Sequence, residues 1–328
     1  MHAGRGVSRS HTAAELGRRV GEGDRLALAR LLSLVEAGDV AALEATFELP
    51  VPAATHTIGF TGAPGAGKSS LIDQVARDLR GQDIRVGVLA VDPSSPYTGG
   101  ALLGDRVRMM HHVGDHGIFI RSLANRGHLG GLSAAMPPAI RAMLGAGFDH
   151  VLVETVGVGQ AEVEVARHAD TTVVVTAPGM GDTVQMSKAG ILEIADVLVV
   201  NKCDRNGAES TIQDLEEMVH LRKHSEDDWP VPVIATQATE GEGISELVGT
   251  LRDHRAHAEP SGALERHRAA RSLVELRAYT TTRVLRRCEE MFRSERGQQL
   301  SARVADGELS PMTAADELIS ELGGRSSS

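Results

Sequence analysis

One short stretch constrains this chain more than any other. Residues 62–69 read GAPGAGKS and fit the pattern G-x-x-x-x-G-K-[ST]. The apolar residues 57–60 precede the stretch, and a helical pattern over residues 69–79 follows it. Glycines let successive backbone N–H groups curl around a phosphate, and the helix N-terminus adds partial positive charge. The stretch therefore predicts a P-loop between a strand and a helix.

The P-loop residues have distinct predicted roles. Lys68 reaches the β- and γ-phosphates of a nucleotide, and Ser69 binds Mg²⁺. The predicted nucleotide contacts of the loop are Gly62, Ala63, Pro64, Gly65, Ala66, Gly67, Lys68, Ser69 and Ser70.

A second motif indicates which base the nucleotide carries. Asn201, Lys202 and Asp204 belong to an N-K-x-D sequence that follows the predicted strand 196–200. The Asp204 carboxylate can accept hydrogen bonds from both the ring N–H and the exocyclic amine of guanine, whereas adenine presents no such pair of donors. A short loop after the predicted strand 231–235 is placed to touch the guanine oxygen through its backbone, and it contains Thr236, Gln237 and Ala238.

Acidic residues after two further strands are candidate magnesium ligands. Asp92 ends the predicted strand 85–91, which a right-handed crossover places parallel to the P-loop strand. Glu154 ends the strand HVLVE, and Gly157 can turn a peptide N–H towards a γ-phosphate. Asp105 is either a further ligand or an ordinary helix N-cap. The predicted catalytic residues are Lys68, Asp92 and Glu154, and the predicted magnesium ligands are Ser69, Asp92, Asp105 and Glu154.

The pattern along the chain divides it into three parts. Residues 1–54 are predicted to be a helical extension, in which Asp24 and Asp39 are helix N-caps. Over residues 55–257, seven β-branched apolar runs alternate with helical patterns, which predicts an α/β domain with a mostly parallel sheet flanked by helices. Residues 258–328 return to a helical pattern.

Composition excludes several classes of function. The chain has 34 basic and 44 acidic residues and a net charge of −10, which argues against a nucleic-acid partner. Its apolar runs are shorter than the roughly 18 residues of a membrane span. The N-terminus lacks the apolar segment of a secretory signal, and two cysteines fit a reducing compartment. We therefore expect a cytoplasmic protein without a membrane partner.

Several long motifs resemble a known family. The chain is similar to the methylmalonyl-CoA mutase-associated GTPases, the MeaB/ArgK family, over nearly all of residues 12–328. The segments that carry the resemblance are GAPGAGKSS, VDPSSPYTGGALLGDRVRM, RSLANRGHLGGL, ETVGVGQAE, APGMGDTVQMSKAGILEIAD and NKCD.

The resemblance implies a P-loop GTPase with a C-terminal helical dimerisation arm, and hence a homodimer. It also implies a partner, an adenosylcobalamin-dependent acyl-CoA mutase, with GTP hydrolysis gating the loading of the cofactor and the repair of the enzyme. The family's GTP, GDP and Mg²⁺ roles fall on Lys68, Ser69, Asp92, Asp105, Glu154, Asn201, Lys202 and Asp204. Residues 178–188 are implied to form a further switch loop that reports nucleotide state.

The small number of lysines in the chain makes one position in that loop a candidate for a specific role. Only four of the 34 basic residues are lysines, and Lys188 is the one outside both the nucleotide motifs and the helical pattern of residues 208–223. A compact ammonium donates in directions that a planar guanidinium cannot reproduce. Lys188 therefore has either a signalling role or the role of an exposed lysine at a helix start.

The mechanism of hydrolysis and two rival functions stay open. Arg106 and Arg108 reach phosphate, lie in an interface with the partner, or face solvent on a helix. Gln160 is not at the offset of a water-orienting glutamine, so we expect slow turnover that a mutase accelerates. A metal-insertion GTPase, for nickel or another metal, would use imidazoles near the switch. The histidines available for that role are His111, His112, His116 and His128. A transport-associated ATPase or kinase would need adenine selectivity, which the N-K-x-D motif opposes.

Overall fold

The structure is a computed structural model, and it describes residues 12–92, 114–124, 131–155, 165–179, 193–221 and 229–323. The chain forms two compact units, residues 1–272 and residues 273–328. The three-part division predicted above, with boundaries at 54 and 257, stays a prediction.

The described residues contain seven strands and ten helices. The strands are β1 (His56–Thr61), β2 (Val86–Asp92), β3 (Ile118–Ala124), β4 (His150–Thr155), β5 (Thr171–Thr176), β6 (Val197–Asn201) and β7 (Val233–Thr236). The helices are α1 (Ala13–Gly21), α2 (Arg25–Glu36), α3 (Val40–Phe47), α4 (Lys68–Gly81), α5 (Gly131–Gly145), α6 (Ala208–Leu221), α7 (Ile244–Ala258), α8 (Ala263–Arg293), α9 (Glu295–Ala305) and α10 (Pro311–Gly323).

The seven strands form one sheet in the order β3-β2-β4-β1-β5-β6-β7. Every pair is parallel, so the predicted α/β class is confirmed and the sheet is parallel throughout. All seven predicted strands are present. Parallel pairing brings the carboxyl ends of the strands to one edge of the sheet, where ligands of open α/β sheets bind.

Helices cover both faces of this sheet, which explains why its strands are apolar on both sides. On one face α4 and α7 pack against the central strands, with Phe60, Leu71 and Leu247 fully buried between them. On the other face α6 packs over β6 through a smaller cluster that includes Leu198 and Leu215.

The N-terminal extension is a three-helix layer that packs on α5. Both predicted caps are confirmed, because the Asp24 carboxylate accepts from the backbone N–H groups of residues 26 and 27 and the Asp39 carboxylate accepts from that of Ala42. Arginines fasten the layer: Arg141 of α5 donates to the carbonyl oxygens of residues 46, 47 and 49. Arg121 of β3 pairs with the buried Glu36 at 2.9 Å.

The second unit is helical and has a small core of its own. Leu300, Ala314 and Leu318 are buried together, and Met291 and Val304 pack against them. The part of α8 in this unit leaves large apolar side chains exposed, among them Leu273 (62% exposed), Leu276 (61%) and Val284 (51%). Among the helices of the described residues, none is both long and apolar enough to cross a membrane.

Two buried histidines lie towards the amino ends of the strands. Burial, with a smaller effect of the neighbouring His150, lowers the pKa of His56 from 6.5 to about 3. Burial, together with Arg271 and Arg167, lowers the pKa of His168 from 6.5 to about 4. Both histidines are therefore neutral in the folded protein at a pH where they are protonated in the unfolded chain.

This difference makes the fold sensitive to acid. A folded-state pKa below the unfolded value means that the unfolded state binds more protons, so stability falls as pH drops below 6.5 and stops falling below the folded pKa. Between pH 7 and pH 5 we expect His56 alone to reduce the free energy of unfolding by about 2 kcal/mol. Urea unfolding at both pH values, followed by the fluorescence of Trp229, should show a correspondingly smaller loss in His56→Gln. If the variant loses as much as the wild type, His56 is not neutral in the folded state.

Candidate functional site

The P-loop is shaped by two glycines that no other residue could replace without distortion. Gly62 has φ 126° and Gly67 has φ 95°, both in the region that favours glycine. A Cβ atom on Gly62 would collide with the carbonyl oxygen of Val175 in β5, and one on Gly67 would collide with the side-chain nitrogen of Asn201. The loop is therefore pressed against two neighbouring strands.

Lys68 is the first residue of α4, and its side chain folds back across the loop. The Nζ atom donates to the carbonyl oxygens of Gly62 at 2.7 Å and of Ala63 at 3.1 Å, and the residue is only 6% exposed. The ammonium is thus held in the concavity of the loop, next to the N-terminus of α4. This is the place at which phosphate oxygens are bound in a P-loop.

Two predicted magnesium ligands meet directly. The Ser69 hydroxyl donates to Glu154 Oε1 at 2.6 Å, although 85 residues separate them in the chain. Glu154 lies at the end of β4, opposite Phe60 of β1, and is 4% exposed. Because the hydroxyl proton points to the carboxylate, the lone pairs of the Ser69 oxygen stay available. A hydroxyl beside a carboxylate fits the oxygen ligands that Mg²⁺ prefers.

The backbone of Asp92 lies at the same edge of the sheet. Asp92 is the last residue of β2, and β2 pairs with β4 up to Val91 and Thr155. Asp92 ends the strand as predicted, and the observed bounds Val86–Asp92 lie one residue later than the predicted 85–91. The register places its backbone next to the end of the strand that carries Glu154.

Asn201 joins the guanine motif to the P-loop. It is 2% exposed, and its Nδ2 donates to the carbonyl oxygen of Ala66 at 2.9 Å. Its Oδ1 accepts from the Thr236 hydroxyl and from the Ala238 backbone N–H, both at 3.1 Å. One buried amide therefore holds three separate segments together.

The remaining residues of the N-K-x-D sequence are placed next to Asn201. Lys202 has φ 63°, which is uncommon for a non-glycine residue, and its Nζ donates to the carbonyl oxygen of Gly65 at 2.6 Å. The backbone N–H of Cys203 donates to Thr236 O at 3.2 Å. The Asp204 side chain is exposed beyond this junction. The lysine covers the P-loop and leaves the acidic side chain facing solvent.

Two residues of the site have roles that the sequence did not predict. The hydroxyl of Thr236 positions Asn201, whereas only backbone contacts were predicted for residues 236–238. Gly243, with φ 74°, closes the turn after this loop, and a Cβ atom there would collide with Ala235 O. The sequence GEG at residues 241–243 was a turn signal that could have indicated it.

Several predicted residues lie outside the described part of the chain. They are Asp105, Gly157, Gln160, Lys188, Arg106, Arg108, His111, His112 and His128. His116 is described, and its carbonyl oxygen accepts from Arg25. Within the described ranges, no group of three or more His, Cys, Asp or Glu side chains is arranged to hold a metal ion.

Comparison with known proteins gives concordant matches. A family model described as methylmalonyl-CoA mutase-associated GTPase MeaB matches residues 28–292. The GTPase ArgK of Escherichia coli is 36% identical over 317 residues, which cover 94% of this chain and 96% of that protein. A protein of Pyrococcus abyssi named as a candidate GTPase is 43% identical over 313 residues, with 94% and 97% coverage. A crystal structure of an LAO/AO transport system kinase superposes with a TM-score of 0.67 and 29% identity, covering 96% of this chain and 99% of that one.

The geometry of Lys68 leads to a direct test. In Lys68→Ala, the charged hydrogen bonds to phosphate are lost, each of which contributes about 1.5–3 kcal/mol, so we expect GTP affinity to fall at least 100-fold. The measurement is titration with a fluorescent GTP analogue. Arg77→Ala is the matched control, because Arg77 is on the exposed side of the same helix. Unchanged GTP affinity in Lys68→Ala would show that residues 62–69 do not bind the nucleotide.

Proposed function

The chain belongs to the MeaB family of methylmalonyl-CoA mutase-associated GTPases and is a P-loop GTPase, and from this membership we propose that it serves an acyl-CoA mutase. The proposed role is that of a GTP-hydrolysing chaperone for an adenosylcobalamin-dependent mutase of the methylmalonyl-CoA type. Hydrolysis gates the loading of the cofactor and protects or reactivates the mutase. The observation that carries the proposal is that the family match runs through residues 28–292, far beyond the nucleotide motifs.

The described residues support a guanine nucleotide bound across the carboxyl edge of the sheet. Lys68 and the backbone N–H groups of the P-loop would hold the phosphates, and the exposed Asp204 carboxylate would accept the two guanine donors. Asn201 fixes the distance between these two halves, because its amide bonds to both the P-loop and residues 236–238. The parts of the site that would bind the phosphates and the guanine are therefore held at a fixed distance from each other.

Magnesium would be held by Ser69 and Glu154, with Asp92 and Asp105 as the further predicted ligands. A bound Mg²⁺ neutralises the charge that develops on the phosphate oxygens as the γ-phosphoryl group leaves. The short bond between the Ser69 hydroxyl and Glu154 already holds these two predicted ligands side by side. Lys68 keeps its charge beside the phosphates, and the backbone N–H of Gly157 is the proposed sensor of the γ-phosphate.

Intrinsic hydrolysis is proposed to be slow. The P-loop and the N-K-x-D motif contain no arginine, and both of their lysines donate to P-loop carbonyl oxygens. An arginine that stabilises the transition state accelerates such reactions by about 10³–10⁵. A partner that completes or reshapes the site would therefore raise the rate, and the proposed partner is the mutase.

The test is GTP hydrolysis by the purified protein, with and without an acyl-CoA mutase that carries adenosylcobalamin. We expect GTP turnover that the mutase raises at least tenfold and ATP turnover that stays near background. Heat-denatured mutase at the same concentration is the control. GTP turnover that is indifferent to the mutase would contradict the proposed partner and leave the GTPase assignment intact. The alternative of a metal-insertion GTPase would then be tested by nickel titration.

The second unit supports the proposal that the protein is a homodimer. Exposed leucines and valines on α8 form an apolar face in a unit whose own core is small. Leu273, Leu276 and Val284 recur at spacings of three and eight residues, so they share one side of the helix. A second copy of the same helix would bury this side.

Dimerisation is tested with Leu276→Ser. Removing a buried leucine from an interface costs about 1.5–3 kcal/mol for each copy, so we expect the dissociation constant to rise at least 100-fold. Sedimentation equilibrium distinguishes the 34.7 kDa monomer from a species of twice that mass. The neighbouring Arg277→Ser should keep the wild-type dissociation constant. A wild-type protein that is monomeric at all concentrations would contradict the dimer.

A further inference from the structure

A buried carboxylate at the amino edge of the sheet binds two arginines of a distant helix. The Asp170 side chain is 2% exposed and lies just before β5. Arg268 donates to it at 2.7 and 3.1 Å, and Arg271 donates at 3.3 Å. We call these three residues the arginine clamp. The two arginines lie in residues 263–272 of α8, which we call the root of α8.

The clamp also holds the backbone on both sides of Asp170. The Asp170 carboxylate accepts from the backbone N–H of Thr57 in β1 at 3.1 Å. Arg271 donates to the carbonyl oxygen of His168 at 2.7 Å, and Arg268 donates to that of Thr55 at 2.8 Å. Burial raises the pKa of Asp170, but the hydrogen bond and charge of Arg268 and the charge of Arg271 outweigh this effect and lower it overall. The carboxylate is therefore ionised, and the two arginines compensate its buried charge.

The segment that the clamp holds, residues 165–170, packs against the strand that precedes the P-loop. Residues 165–170 are the next described residues after β4, which ends with Glu154 and Thr155. They lie directly on the P-loop strand: a Cβ atom on Gly59 would be 2.8 Å from Val165 and 3.0 Å from Ala169. Gly59 is three residues before Gly62. The segment thus touches β1 at its centre, and the clamp ties it to β1 and α8 at its end.

A cavity separates the same elements beside the clamp. It has a volume of about 500 Å³, and its lining includes Ala166 and Arg167 of the held segment and Leu264 and His267 of the root of α8. This opening leaves room for one element to move relative to the other. Within the described residues, the clamp's charged hydrogen bonds join the two elements beside it.

We propose that Asp170, Arg268 and Arg271 form a positioning unit for GTP hydrolysis, through which β1, the strand that leads into the P-loop, and the root of α8 control each other's position. The inference rests on the proposed binding of GTP by the P-loop and does not depend on any partner protein. When β1 and residues 165–170 shift with nucleotide state, Asp170 and His168 O carry the arginines with them. Releasing a buried carboxylate from both partners is costly, so the root of α8 follows the segment.

Coupling of this kind is reciprocal. If nucleotide state changes the position of α8, then holding α8 in one position changes the energy of the nucleotide states by the same amount. The root is the start of α8, which is helical from residue 263 to residue 293. The clamp therefore joins this helix to β1 at the edge of the sheet opposite to the proposed GTP site.

The test uses the full-length protein and Arg271→Gln. This variant keeps the Arg268–Asp170 pair, so the carboxylate stays compensated and the protein folds. We expect kcat for GTP to fall by about three- to tenfold, the range of one typical net hydrogen bond, while the Kd for a fluorescent GDP analogue changes less than twofold. Arg271→Lys keeps the charge and recovers part of the kcat. Hydrogen exchange of residues 263–272 should differ between the GTP-analogue and GDP states in the wild type and not in Arg271→Gln.

The matched control is Arg266→Gln, on the same helix, whose side chain, among the described residues, donates to the carbonyl oxygen of Ser261 and not to Asp170. It should keep the wild-type kcat and the wild-type difference in exchange. The proposal is overturned if Arg271→Gln retains the wild-type kcat or the wild-type difference in exchange. It is also overturned if the wild type shows no difference in exchange between the two nucleotide states. No mutase is present, so a wrong partner assignment cannot produce any of these results.

Discussion

Parallel pairing of all seven strands is the constraint on which the rest of this molecule depends. Because every strand runs the same way, each strand end delivers one functional segment to the same edge: the P-loop after β1, Glu154 at the end of β4, Asn201 at the end of β6 and Thr236 at the end of β7. Segments that are 85 to 137 residues apart in the chain then bond directly. The parallel fold itself therefore brings the segments of the site together.

The P-loop glycines and the buried amide of Asn201 both allow the loop to pack closely against the neighbouring strands. A loop that must point its N–H groups at a phosphate has to come close to the neighbouring strands, and Gly62 and Gly67 permit that approach because they lack a Cβ atom. The loop's carbonyl oxygens also need donors. Asn201, Lys202 and Lys68 supply them. The residues that recognise the nucleotide are thus also the residues that satisfy the loop.

Much of this could be predicted from the sequence, because the signals were local. The seven strands appear as β-branched runs, and the caps Asp24 and Asp39 precede helical patterns. The direct bond between Ser69 and Glu154 was foreseeable only as far as topology places strand ends together. The arginine clamp was not foreseeable, because 98 residues separate Asp170 from Arg268 and neither belongs to a recognisable motif. Buried ion pairs between distant segments leave no periodic pattern in a sequence.

The two edges of the sheet have different chemistry, and this difference bears on how a GTPase could report its state. At the carboxyl edge, neutral and charged donors surround a place for an anionic substrate. At the amino edge, a buried carboxylate and neutral histidines such as His56 and His168 fill the space between β1, β5 and the helices. Hydrophobic contacts vary smoothly as elements slide, whereas an ionised carboxylate in a dry interior tolerates only arrangements that keep its donors. A charged cluster at the edge remote from the GTP site therefore favours discrete positions of α8 over a continuum, which is what a two-state signal requires.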